Sequence, residues 1–181
     1  DYLSDHWMEM LRFTEQQGKA TGIEVDMATG TGWPFGGPWV PLQESASQMV
    51  IVDKRVDERK LKALDLTPPS KKASNCQLVG IYAFSDGIAV NLIKAFGEKK
   101  FKINKQQQGN TITSLTLDGK LPNKGPWRIM ALYQKFGMMR VKRAAPGGAG
   151  LVVDHFNKMA VGHYLQHIEQ AFKRTHTPYP H

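Results

Sequence analysis

The stretch Ile23-Glu-Val-Asp-Met-Ala-Thr-Gly-Thr-Gly-Trp-Pro-Phe-Gly-Gly-Pro-Trp-Val-Pro41 opens with the spacing of a strand and closes with the composition of a shaped loop. Ile23, Val25 and Met27 alternate with Glu24 and Asp26, the period-two pattern of a half-buried strand. From Thr29 to Pro41 the chain holds four glycines, three prolines, two tryptophans and a phenylalanine. Proline fixes a dihedral and glycine permits backbone geometry that other residues resist, so such a run takes a defined shape at low entropic cost. Trp33, Phe35 and Trp39 offer flat apolar faces, with Asp26, Thr29 and Thr31 as polar neighbours. That combination suits a sugar, whose C–H faces stack on indole and whose hydroxyls bond to carboxylates. The structural alternative is a pair of tryptophans that plug the end of a core.

Upstream, Ser4 to Gln17 reads as a helix. Ser4 is placed to cap it, Trp7, Met10 and Leu11 share a face with Phe13 alongside, and Gly18 is placed to stop it. Helix, turn and strand, with the chemistry at the strand's carboxyl end, form one unit of an α/β architecture. Downstream of Glu44 the texture changes. Met49–Lys54, Leu78–Phe84, Ile88–Phe96, Lys99–Ile103 and Thr111–Leu117 read as short extended runs and Lys60–Leu66 as a strand or a short turn, with turns expected at Asp86-Gly87 and Asp118-Gly119. Trp127 to Gln134 is apolar enough for a strand buried on both faces. Lys135–Arg143 reads as a further extended piece, followed by the glycine loop Ala144–Gly150 and the apolar run Leu151–Val153. Asn157 then caps a last helix to about Lys173, with Val161, Tyr164, Leu165, Ile168 and Phe172 as a core-facing stripe that would pack on a sheet. The resulting expectation is α/β: a partial (β/α) barrel segment of two βα units with an inserted small antiparallel β subdomain. Residues 1–47 supply the first helix, strand and loop. Residues 48–124 supply the insert, and residues 125–181 the second barrel strand, glycine loop and helix. A closed eight-fold barrel takes about 250 residues, so 181 residues are expected to form only a piece of one.

The composition is that of a globular chain, 41% hydrophobic and 22% charged. No run approaches the roughly 20 apolar residues of a membrane span, and the opening Asp1-Tyr-Leu-Ser-Asp-His-Trp has no signal-peptide pattern. The lone Cys76 excludes an intrachain disulfide and a multi-cysteine zinc site. A formal charge of +8 would attract polyanions, yet no RNA-reading signature accompanies it, and solvated basic loops are the default reading.

Asp26 is the best-placed carboxylate, with Asp154 as a second because glycoside hydrolysis needs two carboxyl groups flanking the bond. Each has a structural alternative as a turn-maker or cap, the more so in Asp154-His155-Phe156-Asn157, just before a helix. Arg140, Lys142 and Arg143 could hold an acidic sugar or a carboxylate. His163 and His167 stand four apart, a metal-binding spacing without a third ligand in view, and read as a solvated face. Gly147–Gly150 lacks the Lys-Ser/Thr ending of a phosphate loop. No Gly-x-Ser-x-Gly is present, and Cys76, in a polar loop, has no neighbouring His.

Two stretches go beyond generic pattern. Asp26-Met-Ala-Thr-Gly-Thr-Gly-Trp-Pro-Phe-Gly-Gly-Pro-Trp39 resembles the loop after an early barrel strand in glycoside hydrolase family 106, the α-L-rhamnosidases and relatives. Val141-Lys-Arg-Ala-Ala-Pro-Gly-Gly-Ala-Gly-Leu-Val-Val-Asp-His-Phe-Asn-Lys158 resembles the next strand's loop and helix start in that family. The resemblance implies part of an exported, periplasmic or secreted enzyme that removes terminal rhamnose from plant-type glycans with inversion. It also implies a calcium ion in the full enzyme. The resemblance places Asp26, Thr29, Trp33 and Asp154 in the sugar pocket; Trp39, Arg143 and His155 complete the expected substrate-binding set, and the catalytic carboxylates are expected outside this chain. The alternative function is a non-catalytic carbohydrate-binding domain stacking sugars on Trp33 and Trp39. The expected partner is an oligosaccharide or glycan, not nucleic acid or membrane. Unpaired sheet edges would favour an oligomer.

Overall fold

The computed structural model describes residues 1–92, 94 and 100–180. The described chain divides into two compact units, Asp1–Ser47 with Gly137–His181, and Gln48–Phe136.

The first unit is built on two helices. Helix α1 spans Asp5–Thr21, and Ser4 Oγ accepts the Trp7 N–H at 3.2 Å at its start. It runs past Gly18 and stops at Gly22, whose φ of 73° is open to glycine. There the Ile23 N–H bonds to Gly18 O at 2.9 Å, the closing bond of a Schellman cap. Met8, Glu15 and Gly18 line the buried face, whereas Met10 and Phe13 face water. Helix α2 spans Lys158–Thr175, and Asn157 Oδ1 accepts from Met159 and Ala160. Its Tyr164, Ile168 and Phe172 pack with Leu3, Met8, Val40 and Val153 in one core, each large side chain contributing roughly 1.5–3 kcal/mol by burial. Arg174 ties the two ends together through Asp5 Oδ1 and Leu3 O, both at 2.9 Å. The only paired strands described in this unit are β1 (Gly36–Gly37) and β9 (Leu151–Val152), which are antiparallel.

The second unit is mostly β among its described residues, apart from one 3-10 turn and the helical residues Leu92 and Lys94. Strands β2 (Gln48–Val56), β4 (Cys76–Ser85), β5 (Ile88–Asn91) and β8 (Trp127–Lys135) form a sheet in the order β2-β8-β4-β5. Strands β3 (Lys60–Asp65), β6 (Phe101–Gln108) and β7 (Thr111–Lys120) form another, in the order β3-β7-β6. Ser85 pairs with Ile88 across a two-residue turn in which Asp86 and Gly87 both have positive φ, 49° and 77°. Strand β8 alternates. Trp127, Ile129, Ala131 and Tyr133 are buried, while Arg128 is exposed and Met130 and Leu132 are only half-buried. Tyr133 places its hydroxyl 2.7 Å from Leu66 O.

This architecture corrects the α/β expectation. Every strand pairing described is antiparallel, and the strand expected as the second barrel strand is the interior of an antiparallel sheet flanked by β2 and β4. It presents one buried face rather than two. Ile23–Met27 is not a strand. Its alternation has no ladder partner, Ile23 is largely exposed, and the segment is held instead by its ends. Helix α2 packs on α1 and loop residues rather than on a sheet. The expected turn at Asp118-Gly119 lies within continuous β7, and the turn falls at Gly109-Asn110. Cys76 opens β4 rather than lying in a loop. Its buried thiol lies 2.8 Å from Lys72 O, and burial pushes its pKa up. The expected run Ile88–Phe96 is a strand to Asn91, and Ile93 and Ala95 to Lys99 lie outside the described residues.

Candidate functional site

Two glycine-rich loops meet in the first unit. The Trp33 N–H donates to Lys142 O at 3.2 Å, and the Lys142 N–H returns to Trp33 O at 2.9 Å. The Ala145 N–H donates to Thr31 O at 2.7 Å, and Thr31 Oγ1 lies 2.8 Å from Gly148 O. Gly36 pairs with Val152 and Gly37 with Leu151. The glycines are needed for this approach, since a Cβ on Gly150 would sit inside the Gly37 carbonyl.

The two tryptophans part company here. Trp33 is 69% exposed, braced at its edge by Phe35 with ring centroids 5.6 Å apart. Its backbone partner Lys142 and the following Arg143 are also exposed. Trp39 is enclosed. Its indole stacks on His167 at 4.3 Å, on Tyr164 at 5.7 Å and on Tyr2 at 6.1 Å. Its Nε1 is buried and has no hydrogen-bond partner among the described residues. Trp39 thus meets three neighbouring rings, whereas Trp33 is the more exposed of the pair.

Tyrosine hydroxyls hold the segment before the loop. Tyr164 Oη lies 2.8 Å from Thr29 O and 3.3 Å from Gly36 O, and Tyr2 donates to Ala28 O at 3.2 Å. Burial raises the pKa of both phenols, Tyr164 to about 12, so both remain donors at neutral pH. Asp26 and Thr29 are exposed. Asp154 is half-buried, and its Oδ1 accepts the Phe156 N–H at 3.0 Å, the turn-making role of an Asp before a helix. His155 is exposed.

A groove of about 780 Å³ runs along α2 between Thr29, Met159, Leu165, Glu169 and the ring of Tyr179. Tyr179 stacks one face on Phe172 at 4.6 Å and is itself 60% exposed. A smaller hollow of about 190 Å³ is bounded by Trp39, Glu44, His163, His167 and Gln170. Of the seven residues expected at the site, Thr29 lines the groove and Trp39 the smaller hollow, and the other five line neither.

The histidines are a solvated face only in part, His163 being exposed and His167 half-buried. His163 Nδ1 lies 2.7 Å from Glu44 Oε1, bringing the helix to the short turn Leu42–Glu44. His167 lies on Trp39, and its pKa is lowered by burial and then by the Arg174 charge. Glu44, Tyr164 and His167 line the smaller hollow and lie outside the set expected from the sequence. The four-residue histidine spacing located the helix face but not what it meets. No group of three or more His, Cys, Asp or Glu side chains among the described residues is assembled to hold a metal ion.

No protein-family model matches the chain. Over 190 aligned positions, 92% of the chain is 26% identical to the "Putative beta-glucuronidase" of Formosa agariphila, and the match covers 16% of that protein. The solved structure of a rhamnosidase from Novosphingobium sp. PP1Y overlays 96% of the chain with a TM-score of 0.54, at 16% identity and over 32% of its own chain. The chain thus spans only a small part of both proteins. The first likeness is one of sequence and the second one of fold, and together they define a glycoside-hydrolase-like relationship.

Proposed function

We propose that this chain forms the wall of a sugar-binding cleft in an exported glycosidase of family-106 type. The enzyme acts on terminal rhamnose of plant-type glycans by an inverting acid/base route. The observation that carries the reading is Trp33. An indole left 69% exposed, with its backbone pinned by two hydrogen bonds to Lys142, is a preformed platform for the apolar face of a sugar. Thr29, Arg143, Asp154 and His155 belong to the same two loops and would bond to hydroxyls or to a ring carboxylate. The acid and base are not assigned to this chain, and no step is routed through calcium.

Calorimetric titration with a rhamnose-terminated oligosaccharide tests the reading. Trp33→Ala is expected to weaken binding by up to about tenfold, since a stacked aromatic contributes roughly 0.5–1.5 kcal/mol beyond its area, without lowering the melting temperature. Unchanged affinity in a folded variant refutes it. Efficient turnover of an aryl α-L-rhamnoside by these residues alone would show that the acid and base lie within them.

A second reading has one observation in its favour. Lys142 and Arg143 lie beside Trp33, which suits an acidic sugar, and the Formosa agariphila relative carries the name of a glucuronidase. Stronger binding of glucuronides than of rhamnosides, abolished by Arg143→Ala, would favour it.

A further inference from the structure

The charge of this protein is divided sharply between its two units. Gln48–Phe136 holds sixteen Lys and Arg against seven Asp and Glu, a formal +9. The residues of the other unit hold eight against nine, a formal −1. The excess therefore belongs to the β unit and is not a property of the chain at large.

Part of it is concentrated on one sheet face. In the β3-β7-β6 sheet, Leu117 and Phe101 point into the core, so their sequence neighbours point outward. The register places Lys60 opposite Lys120, Lys102 opposite Asp118, Asn104 opposite Thr116, and Gln106 opposite Ser114. All three lysines are exposed. None of them takes part in the ion pairs within 4.0 Å seen among the described residues. Asp118, the carboxylate of these pairs, is already engaged, accepting from Asn104 Nδ2 at 2.9 Å and from the Ala63 N–H at 2.8 Å.

Two like charges directly opposite one another on a sheet are destabilising. An anion lying across Lys60 and Lys120 converts that repulsion into two attractions. The rest of the face is amide and hydroxyl, which bond to sugar hydroxyls, together with Asp65 opposite Thr116, a carboxylate already accepting the Thr67 N–H at 2.9 Å. Its paired positions carry no aromatic ring on which a base could stack and no guanidinium fork for phosphate.

We propose that the outer face of the β3-β7-β6 sheet binds the carboxylates of a polyuronate chain, holding an acidic glycan to the protein through Lys60, Lys102 and Lys120. The proposal rests on the glycan-directed reading of the first unit, but it uses none of the residues of that site.

The test is affinity electrophoresis of the full chain in gels containing polygalacturonate, with a neutral galactan as control and duplex DNA as competitor, at about 50 and about 300 mM salt. Polygalacturonate is expected to retard the protein and galactan not to. Retardation should fade at the higher salt as screening shortens. Lys60→Gln/Lys102→Gln/Lys120→Gln should weaken it about tenfold or more, while rhamnoside binding dependent on Trp33 stays unchanged. Lys120→Gln alone should weaken retardation and leave the melting temperature equal or higher, which separates lost binding from lost folding. The proposal is overturned by retardation equal in galactan, by full retardation of the folded triple variant, or by DNA binding that polygalacturonate does not displace. Loss of rhamnoside binding with polygalacturonate binding intact would count against the proposed sugar cleft and not against this face.

Discussion

The rings of Trp39 and His167 stack with centroids 4.3 Å and planes 21° apart, joining the aromatic loop to the middle of helix α2. With Tyr164 and Tyr2 also in contact, the indole is a fastener of the first unit's core.

Trp39→Ala is therefore expected to destabilise the first unit by about 3 kcal/mol, at the lower end of large aromatic truncations because the ring is not wholly buried. Urea unfolding followed by circular dichroism measures it. Trp33→Ala, at an exposed position, should cost less than about 0.5 kcal/mol in the same experiment. Equal losses from the two would contradict the division of roles drawn here.

His167 makes the stack sensitive to acid. Its folded pKa lies below the ordinary 6.5, through burial first and Arg174 second. Above pH 6.5 both folded and unfolded histidines are neutral and pH has no effect through this group. Below it the unfolded chain takes up a proton that the folded chain resists, so stability falls as pH falls towards the folded pKa. His167→Gln should lose less stability than the wild type between pH 7.5 and 5, and the His167 ring resonances in an NMR titration should have a midpoint below 6.5. A midpoint at or above 6.5 would be incompatible with this burial.

Gly150→Ala should be among the most damaging single changes in the chain. The new Cβ has no room against the Gly37 carbonyl, and because the obstacle is backbone rather than a rotatable side chain, the two loops must separate. A loss of about 3 kcal/mol or failure to fold is expected, read from the melting temperature. Gly162→Ala provides the control, since a Cβ there meets nothing, and within a helix it should stabilise slightly.

In the second unit, Tyr133→Phe removes the donor to Leu66 O and leaves that carbonyl without its 2.7 Å partner inside the core. A loss of about 1–2 kcal/mol with an unchanged fold is expected. Comparing chemical denaturation curves of the two proteins checks it.

Local signals were legible where one short-range bond decides the structure, though not at Gly18 or Asp118-Gly119. Ser4 and Asn157 announce their helices because a cap bonds only to residues two or three positions on. Asp86-Gly87 announces its hairpin because both positions adopt positive φ. The resemblance to rhamnosidases was likewise visible in the two glycine-rich stretches, and a glycosidase-like relationship is what the comparisons support.

What the chain by itself determined was the caps, the turn and the chemistry of the loops, all of which depend on groups a few residues apart. Only the tertiary structure decided that Ile23–Met27 finds no strand to pair with and that Trp127–Lys135 lies between two antiparallel neighbours. It alone decided that Trp39 is enclosed while Trp33, six residues earlier in the same loop, faces water. Alternation and aromatic content state what a segment can bury. Which partner it meets is settled by pairing and packing with residues a hundred positions away, and neither leaves a trace in the local spacing.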